Sequence, residues 1–328
     1  MWKINFAGFL FAFAAVLPVH ADQGAADPNY PSRPIRLIVP YAPGGATDKI
    51  ARVVAEHLST GFKQSVIVEN RPGANNVVGA NALLTSKADG YTLMLASNGL
   101  LTMAPALFKT LPFNPAKDFT LIGFVNKNPM VLVTRQDAKY GDIGSLMKHA
   151  KANPGIVSYA VSGGLVPAML GAGIQRMSDT QMIEVRYKGS GPSITDIVAG
   201  RVDFGIVGVS LAMSLGGESG KLKSIAVTSK ERSASLPDVP TLSESGIPEF
   251  DTIVWNGLIG PAKLPSNVVA RLGQALEALY HDPEYRKTLD ASGEEPLLGT
   301  PDQMQARINQ ETALWKKIVA EAKIEPMD

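Results

Sequence analysis

The clearest chemistry in the chain lies in eight consecutive residues, Tyr41-Ala42-Pro43-Gly44-Gly45-Ala46-Thr47-Asp48. They stand between a short apolar run, Ile35 to Val39, and an amphipathic stretch that begins near Lys49. A strand that turns through glycines into a helix leaves backbone N–H groups unpaired at the helix start, all aimed at one spot. The helix dipole adds partial positive charge there, so the spot favours a carboxylate or a phosphate. Gly44 and Gly45 let the backbone approach a ligand closely, and Thr47 adds a hydroxyl. Asp48 is the wrong charge for an anion site, and its expected task is to accept N–H bonds as a helix cap.

Further clusters of small hydrogen-bonding residues recur at strand ends: Asn75-Asn76, Ser97-Asn98-Gly99, Ser162-Gly163-Gly164 and Gly189-Ser190-Gly191. Singly, each reads as ordinary turn or cap chemistry. Together they fall at alternate strand-to-helix junctions, the expected rim of a cleft. Arg186 and Lys188 are the nearby cations, and alternation along a strand points them to one face with Tyr187 on the other. Burying an arginine demands near-complete pairing, so the expected anion grip is made of neutral N–H and O–H donors. Trp255 reads as a core or hinge residue, with ligand stacking as the alternative.

Catalytic signals are weak. Of four histidines, His20 lies in an apolar leader, and His57, His149 and His281 fall in or beside expected helices without metal-ligand spacing. The sequence has no nucleophile elbow, phosphate loop or complete dinucleotide fingerprint. Ser162-Gly163-Gly164 resembles a nucleophile turn, but no base can be assigned to it. Cysteine is absent, which excludes thiol nucleophiles, thiolate metal sites and iron–sulfur clusters. With 31 basic and 30 acidic residues the chain is nearly neutral, which argues against nucleic acid or anionic lipid as a partner.

The elements that must position these residues alternate. Residues 1–21 read as a secretory signal: Lys3, an apolar run to about Val19, then the small-residue cleavage site Val19-His20-Ala21. After a polar lead-in, Ile35–Val39 reads as a buried strand, followed by Ile50, Val53, Val54 and Leu58 at helical spacing. Ser65–Val68, a helix over Val77–Ser86 and strand Tyr91–Ala96 complete a βαβαβ series. A second series runs from Leu121 to Thr228. The segment Arg232–Glu249, with Pro237, Pro240 and Pro248, reads as a surface connection. Strand Val254–Ile259 and helices Val268–Tyr280 and Pro301–Lys323 close the chain. Tyr41-Ala42-Pro43-Gly44-Gly45 is echoed by Tyr159-Ala160-Val161-Ser162-Gly163-Gly164, again between strand and helix. Two α/β halves offering Gly loops at the carboxyl ends of their strands would face each other across a cleft. Chance recurrence is the competing explanation.

Several stretches together resemble the extracytoplasmic receptors of tripartite tricarboxylate transporters, the Bug family. They are Tyr-Pro-Ser-Arg-Pro-Ile-Arg-Leu-Ile-Val-Pro-Tyr-Ala-Pro-Gly-Gly-Ala-Thr-Asp (30–48), Val-Glu-Asn-Arg-Pro-Gly-Ala (68–74), Ala-Asp-Gly-Tyr-Thr-Leu (88–93), Arg-Tyr-Lys-Gly-Ser-Gly-Pro (186–192), Gly-Arg-Val-Asp (200–203) and Leu-Pro-Asp-Val-Pro-Thr-Leu-Ser-Glu-Ser-Gly (236–246). The resemblance implies an α/β fold, a two-domain periplasmic binding protein of the type II clamp kind. Each domain would be a mixed, mostly parallel sheet flanked by helices. Domain 1 would span 30–125 plus 255–328, and domain 2 would span 126–254. It also implies ligand-binding positions: Tyr41, Pro43, Gly44, Gly45, Ala46 and Thr47 in the first loop, and Ser162, Gly163, Gly164 and Val166 in the second. Asn75, Asn76, Ser97, Asn98, Tyr187 and Gly189 would complete the cleft, with Asp203 near its base. No cofactor or metal is implied.

One departure bears on the ligand. Family members commonly have a Gly-Ser pair and then a histidine in the segment equivalent to 165–169, where this chain has Val166 and Met169. Loss of the hydroxyl predicts weaker binding of small hydroxylated acids such as citrate. It favours an acid with an apolar body, for example terephthalate. The expected function is a monomeric periplasmic receptor that passes a carboxylate to a membrane permease. A co-receptor read by a sensor kinase uses the same clamp, and a periplasmic hydrolase is the enzymatic alternative.

Overall fold

The computed structural model describes residues 29–162, 165–217, 220–247, 250–322 and 324–327. The expected leader, residues 1–21, and the glycine pair Gly163-Gly164 lie outside them.

Two sheets organise the chain. The first contains β1 (Ile35–Val39), β2 (Val66–Asn70), β3 (Thr92–Ser97), β4 (Phe119–Asn128), β10 (Val254–Pro261) and β11 (Glu295–Pro296), in the order β11-β4-β10-β3-β1-β2. The second contains β5 (Met130–Arg135), β6 (Ser158–Ser162), β7 (Ile183–Tyr187), β8 (Phe204–Gly208) and β9 (Leu222–Val227), in the order β7-β6-β8-β5-β9. β1 runs parallel to both its neighbours, β2 and β3, and β6 runs parallel to both of its own, β7 and β8. β10 lies antiparallel between β3 and β4, and β5 lies antiparallel between β8 and β9. Apart from the short edge strand β11, the two sheets therefore share one topology. In each, the reversed strand is the first after the chain crosses from the other sheet: β5 follows β4 across Pro129, and β10 follows the return segment 228–253.

This makes β1 and β6, the strands with parallel partners on both sides, equivalent, and each is followed by a helix. Helices α1 (Ala46–Phe62), α2 (Val77–Leu84), α3 (Ala104–Leu107), α4 (Ile143–Ala152), α5 (Leu165–Ser178), α6 (Ser190–Val198), α7 (Val209–Leu215), α8 (Ser266–Tyr280), α9 (Pro283–Ala291) and α10 (Pro301–Glu321) cover the sheets. α1 follows from its pattern: Ile50, Ala51, Val54 and Leu58 are fully buried, one stripe at helical spacing. It starts earlier than its apolar residues suggest, because the exposed Ala46 and the half-buried Thr47 open its first turn.

One expectation needs correcting. The 232–249 connection is anchored internally: Leu242, Ile247 and Phe250 are buried in the core of the second sheet, alongside Tyr159 and Phe204. Its prolines mask an apolar residue every few positions. The last helix serves both sheets. Met304 and Ile308 pack under the first, while Trp315, Ile318 and Val319 join the core of the second.

A buried carboxylate ties these parts together. Glu311 of α10 accepts from Trp255 Nε1 (2.8 Å), Thr102 Oγ1 (3.1 Å), Asn98 Nδ2 (3.4 Å) and Arg307 Nε (2.7 Å). Trp255, fully buried and edge-on to Phe124, is thus a core residue at the start of the returning strand. Thr102 lies in a π-helical turn, Gly99–Met103, directly after β3. Glu311→Ala would strand the buried Trp255 N–H and one N–H of the Asn98 amide and leave the Arg307 guanidinium without its carboxylate, while Thr102 keeps Asn98 O as an acceptor (2.9 Å). The substitution should lower unfolding free energy by about 3 kcal/mol, read as a shift in the urea midpoint, whereas a shift within error would remove Glu311 as the organising group.

Candidate functional site

The first loop is built to leave donors open. Gly44 sits at φ 84°, the left-handed region that glycine adopts without strain. Lys49 N makes the first intrahelical bond, to Gly45 O (3.1 Å). The N–H groups of Gly45, Ala46, Thr47 and Asp48 have no acceptor among the described residues, and the loop from Ala42 to Ala46 is exposed. Thr47 Oγ1 is likewise uncommitted there.

Asp48 accounts for the shape. It is buried beneath the loop and accepts from Gly44 N (2.9 Å), Asn70 Nδ2 (2.9 Å), Arg52 Nε (3.0 Å) and Arg52 Nη2 (3.1 Å). The expectation that Asp48 accepts N–H bonds holds, but not as a helix cap: the N-cap is Gly45, with no side-chain cap bond, and Asp48 instead takes the loop N–H of Gly44. That N–H points inward and is not available to a ligand. Asn70 also donates to Tyr41 O (3.1 Å), so one amide clamps both ends of the loop. Asn70 was not among the expected site residues; its signal is the uncharged amide of the Glu69-Asn70 pair that closes the strand beside β1.

The rim of the first lobe is a hydroxyl cluster. Tyr41 Oη lies 2.7 Å from Ser97 Oγ and accepts from Asn76 Nδ2 (3.0 Å). Burial raises the Tyr41 phenol above its ordinary range against the pull of those two hydrogen bonds, so it stays a neutral O–H. Ala74, Asn75 and Asn76 all have positive φ (44°, 50° and 76°), a left-handed turn that aims Asn76 at Tyr41 and leaves Asn75 exposed. α2 can follow so closely because a Cβ on Gly79 would stand 2.8 Å from Pro40 Cβ.

In the second lobe, β6 ends at Ser162 beside the end of β7, in register with Tyr187. Ser193 donates to Ser190 O (2.8 Å), so the 2.6 Å contact between Ser162 Oγ and Ser193 Oγ uses the Ser162 proton. Ser162 therefore fixes the loop to α6 and faces a ligand as an acceptor, unless that bond breaks. Gly189 precedes the first turn of α6. Val166, in the first turn of α5, reaches across to the first lobe: a Cβ on Gly99 would lie 3.5 Å from Val166 Cγ2 and 3.4 Å from Ser97 Oγ. The second loop's helix thus abuts the Ser97–Gly99 turn. Met169 is buried in the core.

Three expected site residues lie elsewhere. Asn98 is wholly buried, its amide donating to Ile253 O (2.9 Å) and Glu311; the turn after β3 rolls into the π-helical segment and carries the side chain inward. Asp203 precedes β8 and does not follow it. It accepts from Ser158 N (2.8 Å) and Ser158 Oγ (2.9 Å) at the start of β6, the end opposite Ser162, and so closes the far side of the sheet. Tyr187 donates its hydroxyl to Asp196 Oδ2 (2.8 Å) on α6, leaving only its backbone at the cleft edge.

Two α/β lobes of one topology, whose equivalent loops each open a helix and whose helix starts meet at Val166 and Gly99, define a solute-binding receptor. The chain belongs to the tripartite tricarboxylate transporter receptor family, whose description, "Tripartite tricarboxylate transporter family receptor", matches residues 50–324. Members are periplasmic receptors that bind small carboxylates and work with tripartite transporters. Protein BugT of Bordetella pertussis is 33% identical over 317 residues, 96% of this chain and 95% of BugT. Among solved structures, the periplasmic binding protein BugD is 32% identical with a TM-score of 0.73, covering 90% of this chain and 99% of BugD. Rpa4515 of R. palustris, solved with adipate, is 29% identical with a TM-score of 0.77 over 91% of this chain and all of that one. MatC (Rpa3494) from Rhodopseudomonas palustris, with bound malate, is 27% identical with a TM-score of 0.73 over 88% of this chain and all of that one.

Asp48 supplies a pH test of the first loop. Burial alone would raise its pKa; the hydrogen bonds from Arg52, Gly44 and Asn70, with the Arg52 charge, outweigh that and bring it to about 2. A carboxylate depressed on folding stabilises above its unfolded value, and the benefit fades as pH falls through the folded one. Wild type should therefore lose about 1–2 kcal/mol relative to Asp48→Asn between about pH 4 and pH 2, measured by denaturant melts across that range. Parallel pH curves for the two proteins would contradict this account of the loop.

Proposed function

We propose that this receptor captures a monomer-sized carboxylic acid with an apolar body, of which terephthalate is the example, and delivers it unchanged to the membrane permease of a tripartite system. The observation that carries the reading is Val166. A branched apolar side chain stands against the Ser97–Gly99 turn, where the two lobes meet, and Ser97 in turn touches Tyr41 at the start of the loop whose N–H groups at 45–48 are open. Neutral donors can hold one carboxylate without the desolvation cost of a buried cation. The methyl groups then favour a hydrocarbon surface over a hydroxyl, which would lose its water without gaining a partner. Adipate bound to Rpa4515 and malate bound to MatC span the apolar and hydroxylated ends of this choice, and Val166 favours the former.

Export through the leader at residues 1–21, cleaved near Ala21, and action as a monomer belong to the same reading. Hinge closure would use Pro129 and the 228–253 return, the two places where the main chain passes between sheets. Open and closed forms must differ by only a few kcal/mol for cargo to be released.

Calorimetry with citrate, glutamate, adipate and terephthalate tests the ligand class. Terephthalate or adipate should bind at least about tenfold tighter than citrate, and Val166→Ser should narrow that gap. Tight citrate binding with no binding of the apolar acids would overturn the reading. Thr47→Ala should cost roughly 1–3 kcal/mol of binding as a lost charge-assisted hydrogen bond. Ser162→Ala should cost about 1 kcal/mol through loosening of the second loop. Affinity unchanged in both would take these residues out of the site.

A further inference from the structure

A second polar feature crosses the first sheet at the edge facing the second lobe. Asn126 of β4 pairs directly with Asn256 of β10, and Asn256 pairs directly with Ser97 of β3, so the three side chains share one face. Asn256 Nδ2 donates to Asn126 Oδ1 (3.1 Å), and Asn126 Nδ2 donates to Glu294 Oε2 in the loop before β11. All three of Asn126, Asn256 and Glu294 are at least nine-tenths buried. The chain of donors runs one way, towards the carboxylate, and its other end is left open: Asn256 Oδ1 is buried with no partner. Opposite Asn256 on β3 lies Ser97, whose hydroxyl touches Tyr41 of the anion loop.

We propose that Glu294, Asn126 and Asn256 form a proton-loaded relay that turns an acceptor into a donor at the floor of the carboxylate site. With Glu294 ionised, both amides must point their N–H₂ groups towards it, and Asn256 shows an oxygen to Ser97. With a solvent proton on Glu294, its O–H donates to Asn126 Oδ1 after that amide rotates. Asn126 Nδ2 then reaches Asn256 Oδ1, which satisfies the orphan, and Asn256 Nδ2 turns towards Ser97. The Ser97–Tyr41 pair can then pass its own O–H outward to an anion. Ligand and proton therefore bind together, each raising affinity for the other by the same factor.

The surroundings suit a carboxyl that changes charge near neutrality. From α9, Tyr285 donates to Val125 O (2.7 Å), and the Arg286 guanidinium is committed to Tyr280 O (2.9 Å). From β4, Lys127 is paired with Glu295 of β11 (2.9 Å), and Glu295 also accepts from Ser233 of the return segment (3.3 Å). α7 contributes Val209 and Ser210, packed on Gly293. No cation among the described residues is paired with Glu294, and burial pushes its carboxyl up to about 7 against the opposing bond from Asn126.

The relay deepens the carboxylate reading above and rests on it for its ligand, but its first test needs none. In ligand-free protein titrated between about pH 5.5 and 8.5, the side-chain amide signals of Asn126 and Asn256 should move together with a midpoint of about 7. They should stay fixed in Glu294→Gln. Calorimetry with adipate and terephthalate in buffers of different ionisation enthalpy should then show net proton uptake near pH 8, with affinity falling about fivefold from pH 6 to pH 8. Asn256 signals that stay flat in ligand-free wild type overturn the relay, whether or not any acid binds. Moving amides without proton uptake on binding overturn the coupling, as expected if the row only holds an ordered water. Failure of every acid to bind at any pH counts against the carboxylate reading, and the ligand-free titration still decides the relay.

Discussion

An anion site made from main-chain donors must keep those donors unpaired, and here that constraint falls on Asp48. A helix start left alone would collapse onto the nearest acceptor. Asp48 is such an acceptor, three residues into α1, yet it takes only Gly44 N from the loop and spends its remaining capacity on Asn70 and Arg52. The N–H groups of residues 45–48 are left facing outward as a result. Their pre-set geometry is what a ligand carboxylate would otherwise have to create at an entropic cost.

The rest of the first lobe supports that loop in layers. Asn70 holds its two ends, Asn76 and Ser97 hold Tyr41, and Gly79 lets α2 press against Pro40. Ser97 lies on β3, whose next turn feeds Asn98 and Thr102 into the Glu311 cluster, and that cluster grips Trp255 at the start of β10. The loop at 41–48, the returning strand and the helix that reaches the second core are therefore linked through hydrogen bonds and the Ser97-Asn98 peptide. A change at the proposed cleft has a short, contiguous route to the segments proposed as the hinge.

Much of this was legible residue by residue. The glycine turn after Val39, its echo after β6 and the alternating βαβ series come from local pattern, which the backbone obeys because strand and helix periods and left-handed turns are set by nearest neighbours. Less legible were the directions of side chains at the turns. Ser97-Asn98 reads as two equivalent polar residues, but one points to Tyr41 and the other into the core, because a π-helical turn follows immediately. Asp203, expected near the base of the cleft, instead holds Ser158 at the opposite end of the sheet. A shift of a residue or two in an element boundary is enough to reverse such an assignment.

The sequence by itself determined the alternating α/β pattern and the glycine turn that opens α1 with unpaired main-chain N–H groups, the feature on which the proposed anion site rests. Only the tertiary structure decided which donors stay open, because that depends on partners far along the chain. Asn70 reaches Asp48 across 22 positions, and Glu311 reaches Asn98 across 213. The equivalence of β6 with β1, each between two parallel partners, and the row Ser97–Asn256–Asn126–Glu294 likewise exist only once strands distant in sequence lie side by side. Local propensity cannot encode such contacts, since each arises from packing two surfaces and not from the preference of either.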